Sequence, residues 1–255
     1  MIDRRFAGRV FCQGPSAEDA VAWRLDLPDD RPPVELAGLR IGLTLSDPSY
    51  PVSAEVRDVL ARLAGSLVEA GARVEEGPMP VPMADAVDSW LALVLPILGV
   101  ALPDEIYESF AGLVPIPGDL ATTSLSRLAG RFRDRVHANQ RRQEQRARWA
   151  ERFESVDAWL APCLAVPAFE HDHRPIPLRE IVIDGQVVSS VDLTAWPGAV
   201  GAMLLPSVAI PAGRTAAGLP VGVQVIGPYL HDRRLLRIAA LIDEAGPGFV
   251  APPRG

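Results

Sequence analysis

The sequence has 255 residues, 48% hydrophobic and 22% charged, enough for one large α/β domain or two small ones. Its net charge of −7 excludes a generic basic nucleic-acid surface. Its two cysteines, Cys12 and Cys163, exclude a disulfide framework and fit a reducing cytoplasm. No apolar stretch follows the charged first residues, so no secretory signal is read there.

Ser16 can cap a helix over 16–25, with acidic residues in its first turn. A Pro-rich loop covers 28–33 and a strand 38–45. Ser53 then caps a helix to residue 70, with Val56, Leu60, Leu63 and Leu67 on one face and Gly71 at its end. Residues 73–76 form the next strand, and this strand–helix–strand unit predicts an α/β sheet. Helices follow over 83–99 and 103–112. The apolar run 90–102, broken by Pro96 and Gly99, is too short to span a bilayer. It reads as a buried helix kinked at Pro96; an apolar acyl pocket wall or a membrane-facing cap is the sharper alternative.

A Pro/Gly loop over 113–119 leads into one long helix over 124–153, rich in arginine. A solvated charged face is the default reading of that helix, and no aromatic stacking pattern supports a nucleic-acid one. A strand over 156–161 ends at Pro162, and a long loop covers 165–178. Residues 181–188 predict a hairpin turning at Asp184-Gly185. Residues 190–201 are a helix or irregular. Two short apolar runs, 205–213 and 218–228, are bounded by Pro and Gly and predict two core strands. An amphipathic helix over 231–245 would cover them. No repeat or linker divides the chain, so one continuous α/β domain over residues 1–255 is the simplest organisation.

The reactive residue types are few. His171 and His173 have the spacing of a metal pair but lack partners, so solvated loop histidines are the preferred reading and no metal is expected. Cys163 sits directly after Pro162, where a small buried residue suffices. The adjacent Ser189 and Ser190 read as a hairpin end and a helix cap. Gln224, polar within an apolar run, can hydrogen-bond the sheet edge or face a pocket. The sequence contains no lysine: all 25 of its basic residues are arginine.

The stretch Leu205-Pro-Ser-Val-Ala-Ile-Pro-Ala-Gly213, followed by Gly218-Leu-Pro-Val-Gly-Val-Gln-Val-Ile-Gly-Pro228, resembles the C-terminal hallmark of the amidase signature family. The passage 149–162, the proline loop 167–173 and the Asp192…Trp196 pair resemble the family further, and Gly14-Pro15 resembles its Gly-Pro segment more faintly. The resemblance implies a mixed α/β sheet with helices on both faces, equivalent to the C-terminal part of an amidase-signature domain. Family members hydrolyse carboxamides with a Ser–Ser–Lys triad, through serine attack and an acyl-enzyme. That triad and its Gly/Ser-rich loop belong upstream of the Gly-Pro segment, so the chain is expected to be truncated and inactive alone. The alternative is a non-catalytic subunit that pairs with a separate chain carrying the catalytic half. No catalytic residue is assigned. Trp196 is the expected pocket-lining residue, with Asp192, Met203 and Pro206 beside it. The neighbourhood Gly198-Ala-Val-Gly-Ala-Met203 lacks the asparagine many members carry there. The charge argues against a nucleic-acid partner and the two cysteines for a cytoplasmic location, while the resemblance further implies a small-molecule amide substrate and no cofactor. The resemblance also implies a complementary N-terminal chain or self-association.

Overall fold

A computed structural model describes residues 15–28 and 35–251. Cys12, Gly14 and most of the 28–33 loop lie outside the described residues. The central sheet has five strands: β1 (Arg40–Leu43), β2 (Arg73–Glu76), β3 (Ala158–Pro162), β6 (Ser207–Arg214) and β7 (Pro220–Ile226). Their order across the sheet is β2-β1-β3-β7-β6. β1 runs parallel to β2 and β3, whereas β7 runs antiparallel to both β3 and β6, so the sheet is mixed. A separate hairpin pairs β4 (Glu180–Ile183) with β5 (Gln186–Ser189). Its turn is Asp184-Gly185, both at positive φ, as a two-residue hairpin turn requires.

Helices cover both faces. Trp159 and Gln224 share one face, because Trp159 pairs with Ile226 and Ala161 with Gln224. Trp159 meets Trp149 of α5 (Phe132–Ser155) edge-on, with ring centroids 5.9 Å apart. Gln224 bonds the backbone of α6 (Ala195–Ala202). On the opposite face, α1 (Ala54–Glu69) and α7 (Asp232–Ala245) pack on β6 and β7 and touch one another. Their buried residues include Val56, Leu60, Leu63 and Leu67, the stripe read from the sequence, with Leu235, Ile238 and Ile242. Leu160, Val223 and Val225 point into that layer and are at most 1% exposed. The antiparallel end of the sheet is therefore sealed by apolar burial, the dominant stabilising term in folding.

Between β2 and β3 lie α2 (Met83–Gly99), α3 (Asp104–Ala111), α4 (Leu120–Leu128) and α5. The single helix expected over 124–153 is two helices, broken at Ala129-Gly130. The break follows from packing. A Cβ on Gly99 would lie 1.8 Å from the Leu128 carbonyl oxygen, and one on Gly130 3.1 Å from the Pro96 ring. α2 thus presses on this corner and leaves no room for a continuous helix. The run 90–102 is buried only in its first half: Leu91, Ala92 and Leu93 are buried, while Ile97, Leu98 and Val100 are exposed. The expected helix over 16–25 is a single 3-10 turn, Asp19–Val21. Its N-cap position is held by Glu18, not Ser16, although the Ser16 hydroxyl accepts from the Asp19 amide at 3.1 Å. Val21 and Trp23 are exposed, so no buried face holds a longer helix.

The arginines of this region are largely engaged. Asp88 holds Arg127 at 2.7 Å and Arg141 at 3.0 Å, and Arg152 pairs with Glu75 at 2.9 Å. Arg146 lies over the Tyr229 ring, 4.1 Å from its centroid.

Val223 is fully buried at the centre of β7, whereas Val208 is half-buried on the edge strand β6. Val223→Asp is expected to cost about 3 kcal/mol or more through an unpaired buried charge, and Val208→Asp only about 1 kcal/mol. Urea unfolding of the two variants checks this; equal losses would contradict the layer assignment.

Candidate functional site

The parallel strands β1 and β3 end together, and three connections gather beyond their C-terminal ends. The loop after β1 reaches the loop after β3, where the Ser53 amide donates to the Ala165 carbonyl at 2.8 Å. The β4–β5 hairpin docks on the start of α1 rather than on the sheet. The Asp184 carboxylate accepts from the Ala54 amide at 3.0 Å and pairs with Arg57 at 3.4 Å. A carboxylate at a helix N-terminus satisfies a free amide and complements the helix dipole. The hairpin then leads straight into a 3-10 turn, Ser190–Thr194, and into α6. Ser189 caps that turn through its hydroxyl, which accepts from the Val191 amide at 3.2 Å. The adjacent serines thus take the capping role read from the sequence.

Asp192 stands in this turn. It is half-buried, and burial together with the Asp119 carboxylate pushes its pKa from the ordinary 3.8 up to about 6. Tyr50, in the loop after β1, feels the charge of Asp192. Burial, with Asp192, Asp47 and Asp88, pushes its hydroxyl up to about 12. At neutral pH the pair therefore offers a carboxylate that accepts hydrogen bonds and a phenol that keeps its proton. An amide group needs both, since its N–H donates and its carbonyl accepts. Nothing in the local pattern around Tyr50 marks it. Its signal is positional, because ligands of α/β sheets gather at the C-terminal ends of parallel strands.

The other expected lining residues sit differently. Trp196 and Met203 are fully buried and present no surface to a ligand in this structure. The Trp196 indole N–H finds no hydrogen-bond partner among the described residues. Its carbonyl accepts from Gln224 Nε2 at 3.3 Å, and Gly198, two residues on, lies against the Trp90 ring. Pro206 is half-buried just ahead of β6. Asp192 and Pro206 thus remain near solvent, while Trp196 and Met203 are core.

Gln224 resolves its two readings. Nε2 donates to the Pro162 carbonyl at 2.9 Å and to that of Trp196, and Oε1 accepts from the Ser207 hydroxyl at 3.4 Å. It ties β3, β6, β7 and α6 together. Burial pushes the Cys163 thiol up to about 11, so it stays protonated at neutral pH and is no ready nucleophile. His171 and His173 are exposed, 6.2 Å apart between ring centroids. Among the described residues no group of three or more His, Cys, Asp or Glu could hold a metal ion. No helix of these residues is long and apolar enough to cross a membrane.

Two cavities lie elsewhere, and neither is lined by Asp192 or Tyr50. One of about 770 Å³ opens at the opposite end of β3, between α5 and the start of α7, with Arg146, Tyr229 and Arg234 in its wall. There Asp157 is held by Arg40 and Arg234, both at 3.2 Å. The other, of about 850 Å³, lies over β6 and the start of β7, between Pro211, Val221 and Gly222 and the segment Pro247, Phe249 and Val250.

Asp192 carries a pH signature that can be measured. Its carboxyl binds a proton more tightly folded than unfolded, so the penalty of its ionised form is absent below pH 4 and complete above pH 6. Asp192→Asn is expected to stabilise the fold by about 1 kcal/mol at pH 7.5, after discounting for solvent screening, and to change little at pH 4. Urea unfolding at the two pH values checks this; an equal effect at both would contradict the burial of the carboxyl.

Comparison with known proteins gives these features a family. The Amidase family model matches residues 24–236. The chain is 28% identical over 264 residues to the A-type subunit of the glutamyl-tRNA(Gln) amidotransferase of Rubrobacter xylanophilus, covering 91% of this chain and 51% of that one. The corresponding subunit of Myxococcus xanthus is 39% identical over 87 residues, covering 34% and 16%. A bacterial aryl acylamidase of the amidase signature family shares the fold. Its TM-score is 0.62 at 23% identity, covering 83% of this chain and 44% of that one. The chain spans about half the length of the curated relative that it matches along most of its own length. With the family model running through β1, β3, the 190–202 segment and the two hallmark strands, the chain belongs to the amidase family.

Proposed function

We propose that this chain, as one partial amidase-like domain, forms the substrate-side part of a site for carboxamide C–N hydrolysis and does not turn over amides by itself. One observation carries the reading: a family match over residues 24–236 in a sequence without a single lysine. The resemblance implies that a lysine and two serines perform the chemistry in complete members. One serine attacks the amide carbonyl, the amine or ammonia leaves, and water releases the acid from the acyl-enzyme. This chain supplies none of those groups in the positions that the resemblance requires. What it supplies is a place for the amide: Asp192 accepts from an amide N–H, Tyr50 donates to a carbonyl, and Gln224 keeps α6 fixed on the sheet behind them. A location in the cytoplasm accords with this role.

A second reading is favoured by the outer side of β6, which has no strand neighbour among the described residues, and by the relatives' being subunits. In it the chain is a non-catalytic partner that pairs with a separate polypeptide carrying the catalytic half. Both readings give the chain alone the same behaviour. Purified and assayed against a panel of aliphatic and aryl amides, it is expected to give no turnover above background. Removing triad members from serine hydrolases costs several orders of magnitude in rate. Turnover that a serine-reactive inhibitor abolishes would overturn the proposal.

A further inference from the structure

We infer that Asp184, at the tip of the β4–β5 hairpin, is a positioning residue: by seating the hairpin on the first amide of α1, it sets the spacing between the Tyr50 hydroxyl and the Asp192 carboxyl. The inference rests on the reading in which those two groups hold the substrate amide, and it names the contact that keeps them at one spacing.

The turn itself does not need a carboxylate. Asp184 and Gly185 have φ of 49° and 84°, a backbone that asparagine or glycine adopts as readily. The charge is used across the fold instead. Oδ1 and Oδ2 of Asp184 accept from the Ala54 amide, 130 residues earlier, at 3.0 and 3.1 Å, and Oδ2 faces Arg57 at 3.4 Å. The residue that local chemistry would use to cap α1 is Ser53, its N-cap. Yet the Ser53 hydroxyl is buried and makes no hydrogen bond among the described residues. α1 therefore takes its cap from the hairpin, and a helix start and a hairpin tip are fixed to one another.

Both sides of this contact are internally tied, so it carries through to the two ligand-facing groups. Tyr50 lies in the loop that ends at Ser53. Within that loop the Tyr50 amide donates to the Asp47 carbonyl at 3.1 Å, the Ser49 amide to Asp47 Oδ1 at 2.8 Å and the Val52 amide to the Ser46 hydroxyl at 3.1 Å. On the other side, the hairpin ladder pairs every residue from Ile183↔Gln186 to Glu180↔Ser189. The Ser190 amide then donates to the Arg179 carbonyl at 3.0 Å, and the turn that carries Asp192 starts there. Ile181 and Ile183 are buried and Val182 and Val187 exposed, so one face of the hairpin is anchored in the core. Apolar burial keeps the hairpin on the molecule but is non-directional. A charge-assisted hydrogen bond fixes where its tip sits. Gln224 holds the far end of the Asp192 segment through α6, so the turn is fixed from both ends.

The test removes the contact from each side in turn and follows the Asp192 carboxyl by NMR titration, without and with acetamide. Ala54→Pro deletes the donor at the first position of α1, where proline fits, and Ser53 before it already has the extended backbone that precedes a proline, with φ −58° and ψ 146°. Asp184→Gly deletes the acceptor and keeps the turn. Asp184→Asn removes the same charge but keeps a side-chain oxygen for the Ala54 amide. Ala54→Pro and Asp184→Gly are each expected to lower the Asp192 midpoint by about 0.5 or more from its value of about 6, as the turn loosens into solvent. Each should weaken acetamide binding about three- to tenfold, as for the loss of one hydrogen bond. The double variant should go no further than either single one, because both remove the same contact. Asp184→Asn should leave midpoint and binding in place. Single variants that change neither quantity, or whose effects add in the double variant, would overturn the positioning role and leave the amide-binding pair standing. If acetamide does not displace the Asp192 midpoint of the unchanged chain, the reading of the pair falls, and the inference with it.

Discussion

The structure depends on one buried amide. Gln224 lies inside an otherwise apolar strand, where an unsatisfied polar group costs about 1–3 kcal/mol. It avoids that cost by bonding the end of β3, the backbone of α6 and the first residue of β6. No apolar residue of the same size could hold those three elements in register, and a glutamate would replace a donor with an acceptor facing two carbonyls. Because α6 continues directly from the turn that carries Asp192, the place of that carboxyl is inherited from the same amide.

A second constraint acts at the parallel end of the sheet. The Trp159 ring lies over Gly42, so close that a Cβ there would be 2.0 Å from it. Its indole N–H donates to the Thr44 hydroxyl at 3.1 Å, which itself donates to the Gly77 carbonyl at 2.8 Å. Trp149 then packs on Trp159 from α5 and stacks on Phe153 at 5.4 Å. Glycine is required at position 42 because a ring occupies the space of a side chain. The two constraints divide the labour: one fixes β1 and the loop that presents Tyr50, and the other fixes the segment that presents Asp192.

Much of this was legible in the sequence where the cause is local. The Asp184-Gly185 turn, the stripe on α1 and the bounds of α2 follow from turn chemistry and periodicity. The two hallmark strands follow from their wording, although β6 starts at Ser207 and runs on to Arg214. What was not legible depends on contacts distant in sequence. The break between α4 and α5 is made by Gly99 and Pro96, some thirty residues earlier. Trp196 has the composition of a pocket wall, yet its helix is drawn into the core by Gln224 and by the fit of Gly198 on Trp90. Tyr50 lies in a loop without periodicity, and only the arrangement of the strand ends brings it towards Asp192.

The central proposal is that the half-buried carboxyl of Asp192, near the C-terminal ends of β1 and β3, faces the amide. Carbon-detected NMR titration of that carboxyl, in the chain alone and with an excess of a simple carboxamide, tests it most directly. The account predicts titration near pH 6 in the chain alone and a displaced midpoint when the amide is present. An ordinary midpoint near 4, unmoved by the amide, would contradict it.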